Sequence, residues 1–379
     1  MPKTKLEELA DFGQSIWLDN ISQSLLKSAK LDELIRRGVR GLTSNPSIFD
    51  KAISFSSDYD KKISELKTSN FSVFKIYDNL SIQDVRQAAD LFTDIYKRSG
   101  GWDGFVSLEI DPRLAKDVKK SIAEARRLFT AVNRPNLMIK VPATDEGFIV
   151  IEQLLSEGIN VNATLIFSKS QYERAAEAFL KGMTDLAHNK PELVRSTHSV
   201  ASVFVSRLDT SVDENLNELI KKETDIKKQA KLKSLLGKAA VSNSHLIFAK
   251  HLEIFSNDVF KKLKEKGVTL QRIVWASTST KNPAYQDIKY VTELISRSTI
   301  NTLPENTIEA FIDHGIVNEA LTSDTTNSLA VITELKEFNI DIDQICKRLL
   351  SDGIAAFQKS FESILNSIET KAKELLVKT

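Results

Sequence analysis

Cysteine is almost absent from this 379-residue sequence, which contains only Cys346. A lone cysteine excludes an intramolecular disulfide and a multi-cysteine metal site, and its helical surroundings predict a packed apolar side chain. The five histidines are scattered and form no His-Glu-x-x-His pattern. The glycine-rich patterns GxGxxG and GxxxxGK, which cradle nucleotide phosphates, are also missing. The sequence therefore predicts neither a bound metal ion nor a cofactor.

Long apolar runs and an excess of charge of one sign are missing as well. No apolar run reaches the roughly 18 residues of a membrane span, and the N-terminal segment has no signal-peptide core. The 52 basic and 51 acidic residues leave a formal charge of +1, so no overall field attracts nucleic acid or an anionic membrane. We expect a cytoplasmic monomer or homodimer that binds neither, in which any phosphate recognition is local.

The sequence does contain a regular alternation of strand-like and helix-like segments. Eight short β-rich runs cover residues 15–21, 41–45, 104–110, 137–142, 159–166, 201–207, 272–277 and 298–303. Helical periodicity between them includes residues 82–98, 112–132, 147–156, 168–186 and 283–295. Because no hairpin signal interrupts this order, we predict an α/β protein whose residues 1–379 form a single (β/α)8 barrel domain.

Two regions exceed the simple repeating unit of such a barrel. Residues 209–266 form a charged helical insertion whose lysines alternate with acids, a pattern typical of a solvated helix face rather than a nucleic-acid site. Residues 340–378 form an amphipathic helical region. We expect both regions to pack outside the barrel, the second over part of it.

Lys140 is the most informative residue, because its charged amine interrupts the apolar run Leu137-Met-Ile-Lys-Val-Pro. Burial disfavours the charged form of an amine, and a neutral amine is the nucleophile that Schiff-base enzymes use. The alternative is a lysine at a strand end whose stem is packed while its amine reaches water.

Polar residues near the carboxyl ends of the other predicted strands decide between these interpretations. They are Asp19, Thr43, Asn45, Glu109, Asn162, Thr164 and Ser202. Each has a structural explanation by itself: Asn45-Pro46 is also a turn signal, for example, and small hydroxyl groups are readily satisfied by backbone. Chemistry in (β/α)8 barrels occurs at the carboxyl ends of the strands, so the set as a whole favours an active site.

A second group of residues predicts a phosphorylated substrate. Arg207 follows the sixth strand, and Ser279 and Lys281 follow the seventh. The planar guanidinium suits bidentate phosphate binding, and the loops near the last two strands commonly bind phosphate in this fold. A surface salt bridge for Arg207 and a solvated Lys281 are the alternative.

Seven of these segments together resemble the transaldolase family in its longer bacterial form. They are Ser15-Ile-Trp-Leu-Asp-Asn, Gly41-Leu-Thr-Ser-Asn-Pro-Ser-Ile-Phe, Val106-Ser-Leu-Glu-Ile-Asp-Pro-Arg-Leu, Met138-Ile-Lys-Val-Pro-Ala-Thr, Asn160-Val-Asn-Ala-Thr-Leu-Ile-Phe-Ser, Ala201-Ser-Val-Phe-Val-Ser-Arg-Leu-Asp and Asn301-Thr-Leu-Pro-Glu. All seven occur in the family's order at predicted strands. The resemblance covers roughly residues 1–315.

The resemblance implies transfer of a dihydroxyacetone unit from fructose 6-phosphate or sedoheptulose 7-phosphate to an aldose phosphate, in the non-oxidative pentose phosphate pathway. It makes Lys140 the Schiff-base lysine and Asp19 the base that removes the proton of the C4 hydroxyl. Glu109, with Thr164, would hold a water that moves protons while the Schiff base forms. The sugar phosphates would be the only partners.

The resemblance also implies a substrate-binding set. Asn45 and Asn162 would hydrogen-bond substrate hydroxyls or the three-carbon intermediate, and Ser202 would line the same pocket. The phosphate would be bound by Arg207, Ser279 and Lys281.

Two positions separate a transferase from its relatives. Related fructose 6-phosphate aldolases, which release free dihydroxyacetone, tend to have tyrosine in place of Phe204 and glutamine in place of Glu109, so this sequence favours the transferase. Better-known transaldolases have arginine in place of Lys281. Lysine keeps the positive charge but lacks the planar guanidinium that can bind phosphate through two hydrogen bonds. An aldolase that releases dihydroxyacetone, or an inactive barrel that serves as a binding protein, are the alternatives.

Overall fold

The eight predicted strands form a closed barrel in the computed structural model, which describes residues 3–377. Each strand pairs in parallel with the next, and the eighth pairs with the first. The strands are β1 (Gln14–Asp19), β2 (Val39–Thr43), β3 (Val106–Glu109), β4 (Leu137–Pro142), β5 (Val161–Ile166), β6 (Ser199–Phe204), β7 (Arg272–Ala276) and β8 (Thr299–Leu303). The predicted α/β fold class, a (β/α)8 barrel with additional helices, is confirmed.

One helix precedes β1, and the other helices before β6 lie between consecutive strands, with several extra helices after β1 and β2. They are α1 (Lys5–Phe12), α2 (Gln23–Lys27), α3 (Lys30–Arg37), α4 (Pro46–Ser54), α5 (Asp60–Thr68), α6 (Val73–Leu91), α7 (Thr93–Arg98), α8 (Val118–Val132), α9 (Asp145–Ser156) and α10 (Lys169–Asn189). Most boundaries differ from the sequence prediction by no more than three residues, and two helices differ in a more informative way. The helix predicted at 82–98 begins at Val73 and is divided at Phe92, and residues 112–114 form a 3-10 turn before α8.

The remaining helices follow β6. The segment before β7 contains α11 (Ser206–Lys222), α12 (Ile226–Leu235), α13 (Ala239–Ile254) and α14 (Asp258–Glu265), and the later helices are α15 (Lys289–Thr292), α16 (Glu305–His314), α17 (Thr326–Glu337) and α18 (Ile342–Val377). Residue 378, the end of the predicted C-terminal region, lies outside the described residues. Within residues 3–377, no helix is both long and apolar enough to cross a membrane.

The prediction of a helix at residues 283–295 is mostly wrong, because only Lys289–Thr292 is helical there. The Asn282 side chain accepts a hydrogen bond from the backbone N–H of Ala284 at 2.9 Å. Such a local bond offers the backbone an alternative to helix. The Tyr285 N–H also bonds back to the Asn282 carbonyl, and the chain makes turns until Ile288.

An apolar layer fills the barrel interior toward the amino ends of the strands. It consists of Trp17, Phe105, Met138, Val200, Val274 and Ile300. A Cβ atom on Gly41 of β2 would lie 2.6 Å from the Trp17 ring, so only glycine fits beside the indole. Side chains two positions apart on a strand share a face, so the residues that follow this layer also point inward, at the carboxyl ends.

Candidate active site

The inward positions next to the apolar layer carry polar side chains. Trp17 is followed by Asp19 on the same face, Met138 by Lys140, Val200 by Ser202 and Ile300 by Thr302. These side chains open into a cavity of about 420 Å³. The cavity is lined by Asp19, Thr43, Asn45, Ser47, Ile48, Lys51, Lys140, Ser202, Phe204, Arg207, Ala276, Ser277, Thr278, Ser279, Thr280, Lys281, Thr302, Pro304, Asn306 and Phe357.

Most of the residues that the sequence suggested for the site therefore meet around one cavity. Glu109, Asn162 and Thr164 are the exceptions: they do not line it. Glu109 and Asn162 occupy the β3 and β5 positions directly beside Lys140 in the strand register. Glu109 and Asn162 thus flank the lysine on its two neighbouring strands, and Thr164 lies two residues beyond Asn162 on the same face of β5, beside Pro142 in the register.

Lys140 is almost completely buried, with 4% of its surface exposed. Its Nζ donates a hydrogen bond to the Ser44 carbonyl oxygen at 3.0 Å and lies 3.8 Å from Glu109 Oε2. The alternative of a lysine with a solvated amine does not describe this geometry. The amine reaches the cavity wall from a strand that fixes its position.

Glu109 faces Lys140 from the adjacent strand and is also buried, at 7% exposure. Burial raises the pKa of its carboxyl from 4.5 to about 7, against the opposing effect of the Lys140 charge. Within the described part of the chain, neither Glu109 oxygen has a hydrogen-bond partner, and neither does Thr164 Oγ1. With a pKa of about 7, the Glu109 carboxyl can accept or donate a proton beside the lysine at neutral pH.

Asp19 approaches the cavity from β1, next to β2 in the barrel. Its Oδ1 accepts a hydrogen bond from Thr43 Oγ1 at 2.8 Å, and Thr43 Oγ1 also lies 2.7 Å from Thr302 Oγ1. Burial raises the pKa of the Asp19 carboxyl, while the Lys140 charge and the Thr43 hydrogen bond oppose that rise. The site thus holds two carboxyl groups in different surroundings: Asp19 is hydrogen-bonded, and Glu109 is not.

Asn162 connects three strands beneath the cavity. Its Nδ2 donates to Ser107 Oγ of β3 at 3.1 Å, and its Oδ1 accepts from Ser202 Oγ of β6 at 2.7 Å. Asn45 has a different local role, because its Oδ1 accepts from the Ile48 N–H at 3.0 Å and caps α4, with Pro46 at the first helical position. Asn45 also lines the cavity, so both interpretations of this residue hold: it caps a helix and it belongs to the site.

The predicted phosphate residues lie together at the mouth. Arg207, the second residue of α11, is half-buried, and its guanidinium carbon lies 5.7 Å from the centre of the Phe204 ring. Burial lowers the pKa of this guanidinium, and no carboxylate of the described chain forms an ion pair with it. Lys281 donates to Ser279 Oγ at 2.7 Å and is exposed. The surface salt bridge considered for Arg207 is absent from residues 3–377.

Sequence comparisons agree with this geometry. The family described as "Transaldolase/Fructose-6-phosphate aldolase" matches residues 16–368. A protein named transaldolase from Trichodesmium erythraeum is 43% identical over 378 residues, covering 99% of both chains. One named transaldolase 2 from Nostoc punctiforme is 40% identical over 99% of both chains. A transaldolase from Saccharopolyspora erythraea is 42% identical over 96% of this chain and 97% of its own.

The chain belongs to the transaldolase/fructose-6-phosphate aldolase family. The resemblance found in the sequence is confirmed, and it extends further than expected. The prediction placed its end near residue 315, whereas the family match continues to residue 368, inside α18. The C-terminal helix is therefore part of what this family shares with the chain.

Several cavity residues were missed by sequence reasoning, and the two with the clearest chemical consequence are Lys51 of α4 and Phe357 of α18. Lys51 adds a cation one helical turn beyond Ser47, so the helix that begins at Asn45-Pro46 could have suggested it. Phe357 carries no such signal, because it lies more than 50 residues beyond β8. It reaches the cavity only because α18 packs across α4 and β5.

Proposed function

We propose that this chain is a transaldolase that transfers a dihydroxyacetone unit between sugar phosphates. In one direction, sedoheptulose 7-phosphate and glyceraldehyde 3-phosphate would give erythrose 4-phosphate and fructose 6-phosphate. Family membership supports an enzyme of this class. The observation that carries the proposal is the buried Lys140 amine beside Glu109 and at the wall of a cavity that also contains Asp19.

The first step is attack of the neutral Lys140 amine on the ketose carbonyl carbon. The resulting carbinolamine must lose its hydroxyl as water, which requires a proton donor beside the lysine. Glu109 is 3.8 Å from Nζ, and its pKa of about 7 leaves it partly protonated at neutral pH. It donates this proton, directly or through a water held with Thr164, and the protonated imine forms.

The second step is cleavage of the bond between C3 and C4. Asp19 accepts the proton of the C4 hydroxyl, the aldose phosphate leaves, and the bonding electrons move to the imine, which becomes an enamine on Lys140. The Thr43 hydrogen bond orients the Asp19 carboxylate for this task. When an acceptor aldehyde binds, the enamine carbon attacks it and Asp19 returns the proton to the new hydroxyl oxygen. Water then hydrolyses the resulting imine, which releases the new ketose phosphate and restores the Lys140 amine.

The remaining residues hold the substrate. Asn45 and Ser202 line the cavity, so they reach substrate hydroxyls, and Asn162 fixes the Ser202 hydroxyl from below while lying beside the lysine-bound carbons. Arg207 binds the phosphate with Ser279 and Lys281 at the mouth, where no carboxylate competes for Arg207. Lys51 adds positive charge at the same opening. The cavity therefore matches a polar, anionic substrate.

Transfer, rather than release of dihydroxyacetone, is supported by Phe204 and Glu109. Phe204 lines the cavity and cannot donate a proton, whereas a tyrosine there could protonate the enamine and release the three-carbon unit. No observation favours the releasing aldolase or an inactive binding protein. An inactive barrel would gain nothing from keeping a buried amine beside a buried carboxyl.

We also propose that the chain is one barrel domain, with residues 209–266 as a helical insertion and residues 340–378 as a C-terminal helical region. The family match from residue 16 to residue 368 supports this organisation. So does the position of Phe357, since a residue of α18 lines the cavity of the barrel.

Borohydride trapping tests the proposed mechanism. The protein is incubated with fructose 6-phosphate, without acceptor, and reduced, and the adduct is located by intact mass and peptide mapping. We expect a reduced dihydroxyacetone adduct on Lys140. Lys140→Met should abolish it, whereas Lys281→Met, at another cavity lysine, should retain it at saturating substrate. An absent adduct under conditions that label a known transaldolase would refute the mechanism. If the adduct forms, addition of erythrose 4-phosphate distinguishes transfer of the three-carbon unit from its release.

A further inference from the structure

The loop that carries Ser279 and Lys281 is packed at its start, where the buried Thr278 donates to Asn301 Oδ1 at 2.7 Å, but its second half has little packing. It follows β7 and runs to residue 288, and its first five residues line the cavity. From residue 281 to residue 287, every side chain is exposed except that of Tyr285. Exposed loops without regular structure occupy the low-stability end of a fold. The contacts of Tyr285 therefore help to limit the movement of this second half, together with the Asp287 contact to His314 Nε2 at 3.0 Å and the Thr280 hydrogen bond to the Gln286 carbonyl at 2.8 Å.

Tyr285 is held by the helices that lie between β6 and β7. Its hydroxyl donates to Asp213 Oδ2 of α11 at 2.7 Å. The other Asp213 oxygen accepts the backbone N–H of Gly237, between α12 and α13, at 2.8 Å. Gly237 has a φ of +70°, and a Cβ atom there would lie 2.6 Å from Tyr285 Cζ. One carboxylate thus joins the loop to two separate parts of the helical segment.

A second connection of the same kind follows at the end of the loop. Asp209, also on α11, accepts the Tyr290 hydroxyl at 2.7 Å through Oδ2 and the Ala240 N–H at 2.7 Å through Oδ1. At the start of the loop, the Ser206 N–H donates to the Ser277 carbonyl at 3.0 Å. The helix that begins beside Arg207 therefore contacts the loop at its start, near its middle and beyond its end.

We propose that Asp213 and Tyr285 are positioning residues for the phosphate site, and that the helices of residues 206–265 serve to hold Ser279 and Lys281 opposite Arg207. This inference rests on the proposed function, because it assumes that the cavity binds a sugar phosphate. Arg207 and Asp213 belong to one helix, six positions apart. Anchoring the loop to that helix makes both sides of the phosphate site part of one rigid unit.

Binding of an unreactive phosphate ligand tests the inference. Sorbitol 6-phosphate keeps the phosphate but has no carbonyl for an amine to attack, and calorimetric titration measures its affinity without any need for catalysis. Tyr285→Phe and Asp213→Ala should each weaken this affinity roughly 3- to 10-fold, as expected when one intramolecular hydrogen bond that orders the loop is lost. Borohydride trapping of free dihydroxyacetone, which has no phosphate, should proceed as in the wild type.

Tyr172→Phe is the matched control, because it removes a buried tyrosine hydroxyl that contacts His251 Nδ1 at 2.7 Å, between α10 and α13. It should lower the unfolding temperature without weakening sorbitol 6-phosphate binding. Unchanged affinity in the Tyr285→Phe variant, or equal weakening in the Tyr172→Phe variant, would overturn the inference. A wild type that binds the ligand but forms no dihydroxyacetone adduct would refute the proposed function alone. A wild type that forms the adduct but does not bind the ligand would overturn the inference alone.

Discussion

Replacing Glu109 with glutamine should make the protein more stable at high pH. Burial raises the pKa of this carboxyl from 4.5 to about 7, so the folded state resists its ionisation. A raised carboxyl pKa contributes stability that is fully present below pH 4.5 and is lost as the pH rises through 7. At about 1.4 kcal/mol for each pH unit, the wild type should lose roughly 2–3 kcal/mol between pH 5 and pH 8 through this group. Glutamine has no such titration.

Denaturant unfolding of both proteins between pH 5 and pH 8 measures this effect. The free energy of unfolding of Glu109→Gln, relative to the wild type, should rise across this range by roughly 2–3 kcal/mol. Glu157→Gln is a control of opposite sign, because the Arg126 hydrogen bond lowers the pKa of Glu157. The deficit of Glu157→Gln should stay constant between pH 5 and pH 8 and disappear when the measurements are extended below pH 4.5. A stability difference for Glu109→Gln that does not vary with pH would refute the reasoning.

Three further substitutions probe separate parts of the molecule. Phe204→Tyr should increase release of free dihydroxyacetone relative to transfer, and an unchanged ratio in a product assay would exclude Phe204 as the discriminator. Arg207→Ala should lower kcat/KM for fructose 6-phosphate by roughly 10- to 100-fold while leaving trapping of unphosphorylated dihydroxyacetone unchanged, since it removes the unpaired guanidinium at the mouth. Asp103→Ala removes the carboxylate that lies 3.1 Å from the buried Arg272 guanidinium. Unfolding experiments should therefore show a free energy of unfolding that is lower by about 3–5 kcal/mol, while borohydride trapping at Lys140 should change little. Equal stability of the Asp103 variant would show that this buried pair contributes nothing.

The barrel and its inward polar positions could be predicted because both follow from local periodicity. Strand side chains alternate with a period of two, so once Met138 was assigned to a buried strand, Lys140 had to share its face. The same rule places the side chains of Asn162 and Thr164 on one face of their strand, independently of contacts with distant segments. Eight strands at barrel spacing then bring their carboxyl ends together, which placed Asp19 and Lys140 at one cavity before any contact was known.

Features that depend on contacts between distant segments could not be predicted in this way. The periodicity of residues 283–295 indicated a helix, but the backbone there follows the Asn282 turn and the Tyr285 contact with Asp213, which is 72 positions away. Likewise, the sequence indicates that Glu109 lies on the strand next to that of Lys140, and it is the strand register that brings the two residues side by side. It does not show that both Glu109 oxygens lack a hydrogen-bond partner in the described chain, which depends on every neighbour at once.

The C-terminal helix shows how a residue that weakens local structure can reveal a tertiary contact. Gly353 lies within α18, where glycine costs about 1 kcal/mol relative to alanine. A Cβ atom there would lie 3.1 Å from Leu165 of β5 and 3.9 Å from an Arg207 nitrogen, so the glycine lets the helix approach the barrel mouth closely. Phe357 follows one turn later on the same face and lines the cavity. The close approach at Gly353 therefore sets how far Phe357 reaches over the site, where Phe357 and Phe204 are the two aromatic side chains of the cavity lining.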